Sequence, residues 1–162
     1  MQVILGVTAV LVIALDQISK AVVVAVMPDR APIEILGGLI TITYVRNPGA
    51  SFSIGSGLTV LFTVIAVAVA VVIVRSSRRL GSLGWALALG GLLGGAVGNL
   101  LDRLTRSPGL ARGEVIDWID LIYFPPVFNL ADVAITFSAA GLVVLSLRGI
   151  GIDGTRVAAD RS

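Results

Sequence analysis

The chain has 162 residues, of which 56% are hydrophobic and 14% are charged, with a net charge of +2 and neither histidine nor cysteine. This apolar content, with a mean hydropathy of +1.00, is typical of an integral membrane protein and excludes an ordinary soluble domain. Without cysteine or histidine, the chain has no disulfides, thiolate nucleophiles, Ser-His-Asp triad or usual zinc site, so acid–base chemistry must use carboxylates.

Four apolar segments are candidates for membrane spans, because a spanning helix needs about 20 mostly apolar residues. They extend from Val3 to Met27, from Leu58 to Val74, from Leu83 to Leu101 and from Asn129 to Leu147. We expect a single membrane domain over residues 1–148, followed by a polar and frayed tail over residues 149–162.

The segment between the first two spans has a different pattern. Residues 33–46 are typical of two strands around a tight turn at Gly37 and Gly38. Because unpaired strand edges cannot be satisfied in lipid, we expect these strands at the membrane interface. The predicted fold is therefore an all-α membrane protein of four transmembrane helices, with a small interfacial β-rich cradle between helices 1 and 2.

The distribution of arginines predicts the orientation. Arg75, Arg78 and Arg79 form a compact cluster in the short loop after the second span. Positive clusters favour the cytoplasmic side, which places both termini in the cytoplasm. The total number of basic residues is balanced between the two sides, so the density of this cluster decides. The polar residues of the spans then gather near the outer leaflet.

Five aspartates lie in or beside the apolar segments: Asp16, Asp102, Asp117, Asp120 and Asp132. An ionisable group in such a place indicates a functional site, because its burial is costly. Asp16 and Lys20 have i,i+4 spacing, so a mutual ion pair that lowers the cost of insertion is favoured over a direct catalytic role. Asp120, beside Trp118, fits a hydrated interfacial turn.

The remaining polar residues of the spans each allow two interpretations. Asn99, Asp102 and Arg103 form either a helix-end network, in which Arg103 satisfies Asp102, or direct substrate contacts. Asn129 and Asp132 fit an N-cap and a first-turn acid as well as a site. Asn47, in a turn-rich segment that continues to Ser53, belongs to a plain loop or offers its amide to a substrate backbone.

The glycines of the third span repeat every four residues, as Gly90, Gly94 and Gly98 and again as Gly91 and Gly95. Small residues at this spacing let neighbouring helices approach closely. We therefore assign these glycines to helix packing.

Five blocks in this order resemble the lipoprotein signal peptidases (signal peptidase II), a family of four-span aspartic proteases. They are Asp16-Gln17 with Lys20, residues 46–53, residues 94–103, residues 113–120 and residues 128–132. The resemblance covers roughly residues 10–145 and implies that Asp117 and Asp132 form the catalytic pair. It also implies that further residues support the site or contact substrate: Asn47, Asn99, Asp102, Arg103, Asn129, Asp16 and Lys20.

The resemblance further implies an endopeptidase of the bacterial cytoplasmic (inner) membrane. Its partners would be membrane lipid and diacylglyceryl-prolipoproteins, cut on the N-terminal side of the lipidated cysteine. Two aspartates that share one proton would activate water, without a metal or other cofactor. Which aspartate holds the proton is left open. We expect the protein to function as a monomer and not to bind nucleic acid.

Other classes of membrane protein are alternatives to a protease. A proton- or ion-coupled transporter would also carry aspartates within its spans, and a small channel or assembly factor is a further alternative. A transporter places such residues near the midplane of repeated halves, whereas these acids gather toward one side and no repeat is present. Replacing Arg103 by alanine should impair activity, whereas replacing Arg106 by alanine should not.

Overall fold

The computed structural model describes residues 1–49 and 59–156. Its helices and strands, in chain order, are α1 (Gln2–Val26), β1 (Ile33–Ile35), β2 (Ile40–Asn47), α2 (Thr59–Ser76), α3 (Leu83–Thr105), β3 (Val115–Leu121), β4 (Phe124–Phe128) and α4 (Leu130–Leu147). Within this described part, four helices are long and apolar enough to cross a membrane, which confirms the four predicted spans. The predicted turn-rich segment after Gly49 lies outside the described residues.

Helix α3 is the centre of the bundle and packs against the other three helices. A Cβ atom on Gly90 would lie 2.7 Å from the Leu5 carbonyl oxygen of α1, and one on Gly95 would lie 2.5 Å from the Ala131 carbonyl oxygen of α4. Gly94 faces α1 and Gly91 faces α4 in the same way. The predicted role of these glycines in close packing is confirmed, because each of the two glycine series faces a different helix.

The four strands form one antiparallel sheet in the order β1-β2-β3-β4. The predicted strands between the first two helices are confirmed as β1 and β2. The sheet is larger than the predicted cradle, however, because β3 and β4, from the segment between α3 and α4, complete it. Asp120 lies in β3 opposite Thr41, not in a turn. Strand β4 was not predicted, because Pro125 and Pro126 argue against a strand except at a sheet edge, and β4 lies at an edge.

A small apolar cluster attaches the sheet to the end of α1. Val23 of α1 and Met27, which follows this helix, pack with Ile116 of β3, and Tyr44 and Trp118 lie against this cluster. Because α1 and α3 end, and α2 and α4 begin, on the same side of the bundle, the sheet lies over that side. It therefore brings residues of β2 and β3 to the ends of the helices.

The expectation of a frayed tail is wrong for residues 149–156. The Ile152 carbonyl oxygen accepts hydrogen bonds from the Gly81 and Ser82 backbone N–H groups at 2.9 and 3.1 Å. The indole N–H of Trp85 donates to the Ile150 carbonyl oxygen at 2.8 Å. This part of the tail folds because the loop before α3 supplies donors for its carbonyl groups. Residues 157–162 lie outside the described part of the chain.

The close contact at Gly95 predicts the effect of a single methyl group. Gly95→Ala should lower the free energy of unfolding by about 1–3 kcal/mol, because its Cβ would overlap a backbone carbonyl that cannot rotate away. The control is Gly6→Ala in α1, where a Cβ meets nothing within 4 Å and the better helix propensity of alanine should stabilise slightly. Thermal unfolding of both variants in one detergent checks this; equal melting temperatures would contradict the packing role.

Candidate active site

The polar residues of the spans meet at the end of the bundle that the sheet covers. Lys20 of α1 is fully buried, and its Nζ lies 2.8 Å from Asp16 Oδ2 and 2.8 Å from Asp102 Oδ2. The same ammonium group donates to Asn99 Oδ1 at 2.9 Å. All three of its protons therefore have acceptors. The predicted Asp16–Lys20 ion pair is present, but Lys20 also joins α1 to α3.

Asp16 and Asp102 also bind backbone groups of neighbouring elements. Asp16 Oδ1 accepts from the Ala131 N–H at 3.0 Å, at the start of α4. Asp102 Oδ2 accepts from the Ile116 N–H at 3.3 Å, one residue before Asp117. The two carboxylates therefore connect the buried ion cluster to the start of α4 and to strand β3.

The partner of Asp102 differs from the expected one. Its Oδ1 lies 2.5 Å from Arg106 Nε, whereas Arg103 makes no ion pair with it in the described part of the chain. Arg106 has the i,i+4 spacing that places two side chains on the same helix face, but Arg103 is adjacent in sequence and points elsewhere. The hypothesis that Arg103 satisfies Asp102 is therefore wrong, and Arg106, which we expected to be dispensable for activity, contacts the network.

Asn129 connects Asp117 of β3 to Asp132 of α4. Its Nδ2 donates to Asp117 Oδ1 at 2.6 Å, and its Oδ1 accepts from the Asp132 N–H at 3.0 Å. Asp132 Oδ2 accepts in return from the Asn129 N–H at 3.2 Å, which completes a capping box. The expected N-cap is confirmed. The same cap fixes Asp132 beside the neighbouring strand residue.

Two further asparagines each donate to one of these carboxylates. Asn47, at the end of β2, donates to Asp117 Oδ2 at 2.8 Å. Asn99 of α3 donates to Asp132 Oδ1 at 2.9 Å, while its own Oδ1 accepts from Lys20. Rotating the Asn99 amide would place its NH₂ group against an ammonium group, so Lys20 fixes which end of the amide faces Asp132.

A cavity of about 320 Å³ lies between α2, α3, α4 and the sheet, with Asp117 and Asp132 among its lining residues. Its polar wall also includes Asn47, Asn99 and Arg103. Most of its other lining residues are apolar, and they include Phe62 and Leu92. The two carboxylates therefore face one space with both polar and apolar lining.

A second, mostly apolar groove of about 470 Å³ also has Asp132 among its lining residues. It runs between the β3–β4 hairpin and α4, and Phe128 and Val133 are among its lining residues. Phe137, at its edge, is 74% exposed on a helix that is apolar enough to span the membrane. The groove is therefore continuous with the surface of α4 that faces lipid.

Asp117 is 2% exposed, and its burial raises the pKa of this carboxyl to about 6. The hydrogen bond from Asn47 opposes this rise in pKa, whereas the negative charge of Asp132 adds to it. The carboxyl group thus titrates close to neutral pH, the range in which one group can both hold and release a proton.

Arg103 is 7% exposed and binds the two chain segments that flank the carboxylates. Its guanidinium group donates to the Gly49 carbonyl oxygen at 2.6 Å and to the Gly113 carbonyl oxygen at 3.3 Å. Gly49 follows β2 and Gly113 precedes β3. Arg103 therefore holds together the ends of the strands that carry Asn47 and Asp117.

The structure brings together every residue that we predicted for the site, and Gln17 joins the network as Arg106 does. Gln17, which we had not assigned to the site, donates to the Gly98 carbonyl oxygen at 3.0 Å and to Asp16 Oδ2 at 3.1 Å. The signal that could have identified it is an amide beside an aspartate within an apolar helix. Within the described residues, no group of three or more acids is arranged to hold a metal ion.

Comparison with known proteins gives one family. The family model of "Signal peptidase (SPase) II" matches residues 8–148. A lipoprotein signal peptidase of Leifsonia xyli is 47% identical over 154 residues, which cover 95% of this chain and 71% of that protein. One from Streptomyces coelicolor is 52% identical over 141 residues, which cover 87% and 69%.

A solved structure has the same fold. A bacterial membrane enzyme whose structure was determined by the in meso method at 2.3 Å resolution superposes with a TM-score of 0.77 at 31% identity. The match covers 87% of this chain and 85% of the other. From the family match, the curated relatives and this superposition, we conclude that the chain is a bacterial membrane peptidase that belongs to the signal peptidase II family.

Proposed function

We propose that this peptidase removes the signal peptide from diacylglyceryl-modified prolipoproteins by cutting on the N-terminal side of the lipidated cysteine. The observation that carries the proposal is the hydrogen-bonded link from Asp117 through Asn129 to Asp132 beside a cavity that both carboxylates line. Similarity to lipoprotein signal peptidases supports the substrate class. Membership of a peptidase family also favours hydrolysis over transport.

The proposed chemistry uses two carboxyl groups and one water molecule. Two carboxylates close together in a poorly hydrated site cannot both ionise cheaply, so Asp117 and Asp132 share one proton. The ionised member takes a proton from water, whose oxygen attacks the scissile carbonyl carbon, while the protonated member donates to the carbonyl oxygen. The tetrahedral intermediate collapses as the carboxyl that took the proton from water gives it to the leaving nitrogen, the other carboxylate takes back a proton from the hydroxyl oxygen, and the carbon–nitrogen bond breaks. No covalent enzyme intermediate is needed.

The surrounding amides support this pair. Asn47 and Asn129 both donate to Asp117, and Asn99 donates to Asp132, so each carboxyl group has a fixed direction. Fixed donors matter because catalytic groups must not reorganise while charge moves between them. Lys20 supports the site by orienting Asn99, and its partners Asp16 and Asp102 support the start of α4 and of β3.

The two spaces that meet at Asp132 suit a substrate with a peptide part and a lipid part. In this proposal the cavity beside Asp117 takes the cleavage site, and the apolar groove along α4 admits acyl chains laterally from the bilayer. The site then lies near the outer leaflet of the bacterial cytoplasmic membrane, with both termini in the cytoplasm. One chain supplies every proposed group, which supports action as a monomer.

Neutralising either proposed catalytic carboxyl should stop cleavage. Asp117→Asn and Asp132→Asn should each lower the rate by at least ~10²-fold, because an amide can neither accept the proton of water nor hold the shared proton. Asp120→Asn is the matched control: this residue lies on the same strand as Asp117 but on its other face. The measurement is release of signal peptide from a diacylglyceryl-modified precursor, and near-normal cleavage by either catalytic variant would refute the pair.

The raised pKa of Asp117 should also appear in the pH dependence of stability. Between the ordinary pKa of 3.8 and about 6, the folded protein holds a proton on Asp117 that the unfolded chain has lost. Raising the pH through this window therefore destabilises the fold. The melting temperature in detergent should fall more steeply over this range for the wild type than for Asp117→Asn. Asp120→Asn should follow the wild type, and parallel curves for Asp117→Asn would rule out the effect.

A further inference from the structure

Arg103 is a buried cation without a carboxylate partner. Both of its hydrogen bonds go to backbone carbonyl groups, and no ion pair in the described part of the chain includes it. The sequence from residue 50 to residue 58 contains no acid that could serve as its partner. Arg103 is 7% exposed, so its guanidinium group carries a desolvation cost that two neutral acceptors do not offset.

Three carboxylates act on the charge of Arg103, and two of them form the proposed catalytic pair. Asp117, Asp102 and Asp132 attract its positive charge, and Asp117 does so most strongly. Asp102 is already bound by Lys20 and by Arg106. The negative charge that remains to balance Arg103 is therefore that of Asp117 and Asp132.

The positive and negative charges around Asp117 and Asp132 are equal in number at only one protonation state of this pair. The ionisable groups that face it are Asp16 and Lys20 on α1, Asp102, Arg103 and Arg106 on α3, Asp117 on β3 and Asp132 on α4. Arg46 and Glu114 pair with each other at the surface, and α2 has no ionisable residue before Arg75. Four carboxylates thus face three cations, so the cluster is neutral when the pair holds a single proton.

We propose that Arg103 is the counterion of the singly ionised Asp117/Asp132 pair and that its charge selects the one-proton state that hydrolysis requires. This inference rests on the proposed function, because it presupposes that these two carboxyl groups react. Arg103 is thereby a positioning residue that acts through the pair, in addition to holding Gly49 and Gly113. Its charge and its hydrogen bonds have separate consequences.

Removing the charge should move the activity profile along the pH axis. Without the cation, each loss of a proton from the pair becomes harder, so both the acid and the alkaline limb of kcat/KM should shift to higher pH by about one unit. A residue that merely anchors the two loops would lower kcat/KM by the same factor at every pH. The shape of the profile therefore separates the two roles.

The experiment compares Arg103→Gln, Arg103→Lys and Arg106→Gln, using a diacylglyceryl-modified precursor in detergent between about pH 5 and 9. Arg103→Gln should show the shift. Arg103→Lys keeps the charge but loses the forked donor geometry, so it should be slower with unshifted limbs. Arg106→Gln removes a charge that contacts Asp102 and whose side chain is 23% exposed, so water should screen its loss and the shift should be less than half as large.

The inference would be overturned if Arg103→Gln had a reduced rate but its acid and alkaline limbs of kcat/KM lay at the same pH as in the wild type. If that variant does not fold, a shifted profile in Arg103→Lys would overturn it as well, since the charge is still present there. Failure of this inference is distinct from failure of the proposed function. The latter would show as normal cleavage by Asp117→Asn, whereas an unshifted Arg103→Gln beside an inactive Asp117→Asn would refute only the counterion role.

Discussion

The buried ammonium group of Lys20 is the contact on which the arrangement of the site depends. It binds two carboxylates and one amide oxygen, on two different helices. Each bound group then orients something else: Asp16 the first turn of α4, Asp102 the start of β3, and Asn99 the carboxyl of Asp132. One cation in an environment of low polarity thus fixes three groups on two elements, α4 and β3, because leaving any of its partners unpaired would be costly.

The glycines of α3 let its neighbouring helices approach closely enough for the buried polar side chains to reach one another. Lys20 and Asp16 reach the third helix only because α1 approaches so closely that a Cβ on Gly98 would lie 2.7 Å from Asp16 Oδ2. The same helix presents Gly95 to α4, which brings the capping box of Asn129 next to Asn99. The glycines have no chemical role of their own. They set the distances over which the polar side chains can bind one another.

The sequence predicted some of these features for clear physical reasons and missed others. The spans were predictable because each is a mostly apolar run long enough to cross a bilayer, and the cap at Asn129 because capping depends on residues three positions apart. Strand β4 was not, because its two prolines argue against a strand unless its edge position is known. The Asp102–Arg106 contact follows from i,i+4 spacing and could have been expected. The role of Asn129 as a link required the position of β3, which no local pattern contains.

The two prolines of β4 have a consequence for molecules outside the fold. Consecutive residues of a strand direct their N–H groups to alternate sides, so Pro125 and Pro126 together remove a donor from the outer edge as well as from the inner one. A neighbouring chain that paired with this edge would lack a hydrogen-bond donor from β4 at the proline whose nitrogen faces outward. The edge therefore resists both self-association into larger sheets and capture of stray extended peptides, a protection that matters for a sheet with apolar surroundings at a membrane boundary.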